Sequence, residues 1–150
     1  MGDETKSAVR TVDTGERKDR VLIVEDEDNA RKGYEQLLQR WGCDVLGVAS
    51  AEDALAKFAS YQPDTLIADV ELPGMNGLDL LKQLGDELHD VPAIIITGKG
   101  SEERAVAAIE SGAFWYIEKP LKGPVLHALL DRALSKARDA RQLAALQRQL

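Results

Sequence analysis

The chain alternates between short, wholly apolar runs and longer stretches in which apolar residues recur every three or four positions. Val21-Leu22-Ile23-Val24, Leu66-Ile67-Ala68 and Ala93-Ile94-Ile95-Ile96 are runs of the first kind. They fit strands of a sheet covered on both faces, where no side chain meets water. The pattern predicts strands near residues 20–25, 44–48, 64–69, 92–97 and 114–118. Between them, Ala30, Tyr34, Leu37, Leu38 and Trp41 keep helical spacing behind Asp28, a residue suited to capping free amides. Ser50-Ala51-Glu52-Asp53 has the form of a capping box, with Ala54, Leu55 and Phe58 as the inner face of a second helix. Leu78, Leu81 and Leu84 mark a third helix, and Ala105, Val106 and Ile109 a fourth. Gly42 and Gly112 fall where helices should stop, and Gly123-Pro124 opens a fifth with proline in the first turn. Strand and helix alternate throughout, which predicts an α/β fold with a parallel sheet between two helical layers.

The fifth helix outlasts the needs of such a fold. Its pattern runs on through Ala133, Ala137, Ala140, Leu143, Ala144, Leu146 and Leu150 without glycine or proline. Lys136 and Asp139 interrupt the heptads, so a coiled-coil seam and a solvated extension both remain open. The expected organisation is a polar, flexible leader over 1–19, a compact domain over 20–135, and a linker helix over 136–150 that leads to an output domain absent from the chain.

Charge sharpens this division. The last twenty residues hold five basic and two acidic side chains, a net of +3, which leaves −10 for the rest of a chain of formal charge −7. An acidic domain lacks the basic face that nucleic-acid binding needs. The lone cysteine, Cys43, cannot form an intrachain disulfide and reads as a small packing residue. No signal-peptide layout opens the chain, and no apolar run approaches the roughly 20 residues that span a bilayer. The expectation is a cytoplasmic protein with no membrane contact.

Chemistry concentrates where strands stop. The first strand runs into Glu25-Asp26, the third ends on Asp69, the fourth on Thr97, and the fifth on Lys119-Pro120. In a parallel sheet these ends converge on one crevice. Two neighbouring carboxylates, Asp26 and Asp69, repel unless a cation lies between them, and a hard divalent ion such as Mg2+ suits oxygen ligands. Lys119 adds a fixed positive charge and Thr97 a hydroxyl. Such a pocket suits a transferring phosphoryl group, with a carboxylate as nucleophile.

These motifs, in this order, closely resemble the receiver domain of two-component response regulators over residues 20–135. Residues 70–77, Val-Glu-Leu-Pro-Gly-Met-Asn-Gly, are similar to the loop that follows the family's phosphoacceptor. The resemblance implies a doubly wound, flavodoxin-like five-stranded sheet of order 2-1-3-4-5 with an extended C-terminal helix. It implies Asp69 as phosphoacceptor, Lys119 before a cis-proline, Thr97 as switch hydroxyl and Tyr116 as switch aromatic. Asp26, Asp69 and the backbone carbonyl of Glu71 would hold Mg2+, with Glu25 acting through a water. The implied donor is a sensor histidine kinase. The implied role is signalling, with catalysis limited to the domain's own phosphorylation and dephosphorylation. Residues 112–121 and the long helix after them resemble receivers of nitrogen-regulation-type transcriptional activators, which work with an alternative sigma factor. Homodimerisation through the fourth-helix, fifth-strand and fifth-helix face, or through the linker helix, is implied as well. Glu25 stands where aspartate is commoner, Gly98 where alanine is usual, and Glu71 and Lys99 at positions that tune phosphoryl lifetime.

Other readings are weaker. Thr97-Gly98-Lys99-Gly100-Ser101 is no P-loop, because Ala93 stands where the first glycine is needed and Gly100 where Ser or Thr is needed. A Mg2+-dependent phosphohydrolase with an aspartyl nucleophile would want aspartate at Glu71. A receiver attached to a kinase or second-messenger enzyme is a rival within signalling. His89 and His127 have no ligand-spaced partners and read as surface or packing residues. Gly74 and Gly77 read as turn glycines that need unusual dihedrals. Strand alternation predicts Phe114 and Tyr116 on one face, with Trp115 opposite as an exposed docking anchor.

Overall fold

The computed structural model describes residues 17–98 and 100–149. The expectations for residues 1–16, Lys99 and Leu150 lie outside the described residues. Five strands, β1 (Arg20–Val24), β2 (Asp44–Val48), β3 (Thr65–Asp69), β4 (Ala93–Thr97) and β5 (Trp115–Glu118), alternate with five α-helices. These are α1 (Asp28–Arg40), α2 (Ala51–Tyr61), α3 (Gly77–Leu84), α4 (Glu102–Glu110) and α5 (Gly123–Gln149), and a 3-10 turn, Gly85–Leu88, follows α3. All strand pairs are parallel, in the order β2-β1-β3-β4-β5.

Alternate strand residues feed two cores. Leu22, Val24, Leu66, Ala68 and Ile95 pack under α2, α3 and α4 with Phe58, Leu80 and Leu81. Val21, Ile23, Ile67, Ile94 and Ile96 pack under α1 and α5 with Leu38, Leu126 and Leu130. This explains the uninterrupted apolar runs, since each β1, β3 and β4 side chain meets a helix layer. Burying each large aliphatic contributes about 1.5–3 kcal/mol relative to exposure.

Several local expectations change. The cap of α1 is Glu27, whose longer side chain reaches the amides of Asn29 and Ala30, while Asp28 lies inside the first turn and pairs with Arg31 at 2.7 Å. The Ser50 side chain accepts from the Asp53 amide, but the reciprocal capping box forms at Asn76 and Asp79. On α4 the inward stripe is alanine, Ala105 and Ala108, which lets the helix lie close to the sheet; Val106 and Ile109 are exposed. Phe114 and Tyr116 pack into opposite cores, because Phe114 precedes the first strand residue and alternation does not bind it. Trp115 is exposed as expected, and its ring lies 5.6 Å from that of Tyr116, nearly parallel. His127 is a packing residue, stacked 4.2 Å from Trp41. Among the described residues no helix is long and apolar enough to cross a membrane.

The last turns of α5 leave the core. Ala137 is its final buried residue, and Leu143 and Leu146 stand exposed. Arg138 and Arg141 instead reach acidic residues at the N-terminal ends of the strands: Arg138 bonds Asp19 at 2.7 Å and Arg141 bonds Asp64. The basic tail thus docks electrostatically on the acidic domain.

Candidate functional site

At the C-terminal end of the sheet, main-chain bonds carry the ladder one residue past β1, β3 and β5. Glu25 donates to Val48 at 3.0 Å, Val70 to Ile96 at 2.9 Å, and Lys119 to Thr97 at 2.8 Å. These bonds fix the backbone that presents Glu25, Asp69, Thr97 and Lys119. The loop after β3 folds back tightly. Gly77 is glycine because a Cβ there would lie 2.3 Å from the Asp69 carbonyl oxygen, a close approach and not an unusual dihedral; of the two glycines in this loop it is Gly74 that has positive φ, +73°. A side chain at 77 would push α3 off the site.

Asp69 is buried, and its two oxygens are differently served. Oδ1 accepts the Glu71 amide at 2.8 Å, and Oδ2 meets Lys119 Nζ at 2.6 Å. Lys119 precedes a cis peptide to Pro120. Burial pulls the lysine pKa down, but the hydrogen bond and charge of Asp69, with Glu25 and Tyr34, outweigh it and the net direction is up. Glu25 is also buried, and burial pushes its carboxyl up, reinforced by Asp69; the Glu27 amide, at 3.0 Å, and Lys119 act the other way. Two acids thus compete for one close cation, so the pocket has an unmet demand for positive charge.

Asp26 is exposed and makes no hydrogen bond or ion pair among the described residues. Thr97 is fully buried, and its hydroxyl has no hydrogen-bond partner. Such an orphan costs about 1–3 kcal/mol, which an oxygen-rich ligand could recover. Tyr116 is half-buried against the α2–α4 core.

No cluster of three or more His, Cys, Asp or Glu side chains is closed up to hold a metal among the described residues. Mg2+ retains waters and needs only one or two carboxylates. The uncommitted Asp26, the charge surplus at Glu25 and Asp69, and an all-oxygen donor set suit such an ion.

Three contributors went unnoticed in the sequence. Arg31 donates to the Glu25 carbonyl at 2.9 Å. Tyr34 feels the site, its hydroxyl pushed up by burial and then by Glu25. Arg104, on α4, forms an ion pair with Glu71. Each lies on a helix whose packing alone brings it here, and no motif marks it.

Residues 21–131 match the response regulator receiver domain family. The chain belongs to it. It is 34% identical over 126 residues to the DNA-binding transcriptional regulator NtrC of Proteus hauseri, covering 84% of this chain and 27% of that protein. It is 38% identical over 113 residues to the transcriptional regulatory protein FixJ of Rhizobium meliloti, covering 75% of this chain and 55% of FixJ. Among solved structures, NtrX from Brucella abortus superposes with a TM-score of 0.79 at 31% identity, over 87% of this chain and 30% of NtrX. The chain therefore spans only part of each of these regulators. As a receiver domain, it is a signalling module of two-component systems and not a conventional enzyme. The flavodoxin-like order 2-1-3-4-5 expected from the resemblance is the order found.

Proposed function

We propose that Asp69 is the phosphoacceptor of this receiver, taking its phosphoryl group from the phosphohistidine of a sensor kinase. The observation that carries this reading is the buried Asp69 carboxylate, held at 2.6 Å by Lys119, with the partnerless Thr97 hydroxyl at the end of the neighbouring strand. An Asp69 oxygen attacks phosphorus, the P–N bond of the donor breaks, and its electron pair returns to the imidazole. Lys119 stabilises charge on the phosphoryl oxygens as it leaves its ground-state ion pair. Asp26, Asp69 and the Glu71 carbonyl would hold Mg2+, with Glu25 behind a water. Bound there, the ion neutralises developing charge on the phosphoryl oxygens.

Thr97 then has the partner it lacks. A phosphoryl oxygen accepts its hydroxyl, Thr97 moves toward Asp69, and Tyr116 turns into the vacated space. Trp115 stacks on Tyr116, so the rearrangement reaches the exposed α4–β5–α5 face. Loss of the phosphoryl group by hydrolysis in the same pocket resets the switch.

The receiver, over residues 20–135, would control a larger transcriptional regulator through the linker helix of residues 136–150. The likeness to the transcriptional regulators NtrC and FixJ and the exposed Leu143 and Leu146 support this. Self-association would use that helix or the face bearing Val106, Trp115 and Val125. The test is incubation with acetyl phosphate and Mg2+, read by phosphate-affinity electrophoresis. The wild type shifts and Asp69→Asn does not. An equal shift in Asp69→Asn refutes the assignment.

A further inference from the structure

Glu71 has two bonds that pull in different directions. Its main-chain amide holds Asp69 Oδ1 at 2.8 Å, while its carboxylate pairs with the Arg104 guanidinium in the first turn of α4. Both residues line a shallow cleft of about 280 Å3, together with Val70, the residue after Asp69. Both side chains are about half-exposed. An exposed ion pair contributes little to folding. Its effect on chemistry next door is larger, because every phosphoryl donor is an anion and Glu71 stands two residues from the attacking carboxylate.

We propose that Arg104 is a positioning residue for phosphoryl uptake, acting through Glu71. It cancels the Glu71 charge and keeps that carboxylate drawn toward α4, away from the approach to Asp69. Without Arg104, Glu71 presents an uncompensated negative charge to the incoming anion, in a pocket already short of cations. The inference rests on Asp69 being the phosphoacceptor.

A double-mutant cycle on the full chain tests it, with initial labelling rates from acetyl phosphate in Mg2+ buffer. Arg104→Ala labels about three- to tenfold more slowly at low salt, and the deficit shrinks in about 0.5 M salt, where screening replaces the guanidinium. Arg104→Lys, which keeps the charge, stays close to wild type. In a Glu71→Gln background, Arg104→Ala makes no further difference. If Arg104→Ala slows labelling equally in both backgrounds, or leaves the wild-type rate unchanged, the inference is overturned while the acceptor assignment stands. If the wild type is not labelled, the acceptor assignment fails and this inference with it.

Discussion

The sheet carries a buried aspartate at each end, and the two could hardly be used more differently. Asp69, at the C-terminal ends of the strands, is 1% exposed and shares Lys119, the nearby cation, with the buried Glu25. Asp64, at the N-terminal ends, is 5% exposed but takes both guanidinium nitrogens of Arg17 at 3.0 and 3.2 Å, the Arg20 amide at 2.7 Å, and Arg141. Beside it Asp19 is held by Arg138. Burial is nearly equal, so burial does not separate the proposed phosphoacceptor from an architectural acid. The balance of neighbouring charge does. Asp64 is saturated with donors and clasps leader, sheet and tail helix together. Asp69 sits in a deficit of positive charge, since its partner Lys119 also faces the Glu25 carboxylate.

The orphan hydroxyls teach the same lesson. Thr97 and Thr65 are both buried without a partner, one at each end of the sheet. An unsatisfied hydroxyl alone therefore marks nothing. Thr97 gains its meaning from register, since Asp69 pairs with Ile96, the residue immediately before it.

The contrast breaks most visibly at Lys119. Lys119→Ala should cut phosphoryl uptake by on the order of 100-fold, as loss of one preorganised charge-stabilising group does. Asp64→Asn should leave uptake from acetyl phosphate intact, and time courses of the two variants side by side check both expectations. Asp64→Asn should instead lower stability by about 1–3 kcal/mol in urea melts, less than for a fully buried pair because Arg17 and Arg141 are partly exposed.

A pH series sharpens the comparison. The folded-state pKa of Glu25 is raised, so its ionised form disfavours folding above that pKa, and the penalty fades as pH falls through it toward the ordinary 4.5. Glu25→Gln should therefore be more stable than wild type at neutral pH without metal, with the gap closing on acidification. A constant gap from pH 7 to pH 4 would show that burial and Asp69 do not load the Glu25 carboxylate. The smallest effect belongs to Arg138→Ala. It should lower stability by no more than about 1 kcal/mol. Amide exchange should nonetheless quicken beyond residue 138, with β3 and β4 unaffected.

Much of this architecture was legible in one dimension. Short apolar runs rich in valine and isoleucine read as strands, and their continuity means both faces are covered, because a strand with one wet face alternates. That period identifies β1, β3 and β4 and the parallel sheet, and with it the placing of Asp69 and Lys119 at the same end of the sheet, where they form an ion pair at 2.6 Å. Details governed by a single residue of register were less legible. The α1 cap moved from Asp28 to Glu27, and Phe114 left the face of Tyr116, since periodicity says nothing about the residue at which an element begins. On α4 the sequence pattern marked Ala105, Val106 and Ile109; Ala105 is buried beside Ala108, whereas Val106 and Ile109 are exposed.

What the sequence by itself determined is the order of strands and helices and the kinds of chemistry at their ends, since both follow from local periodicity and residue type. Only the tertiary structure decided which charges meet. Arg104 lies 33 positions from Glu71, and Arg141 lies 77 from Asp64. Coulombic energy depends on distance in space and on local solvent. No spacing along the chain encodes either one.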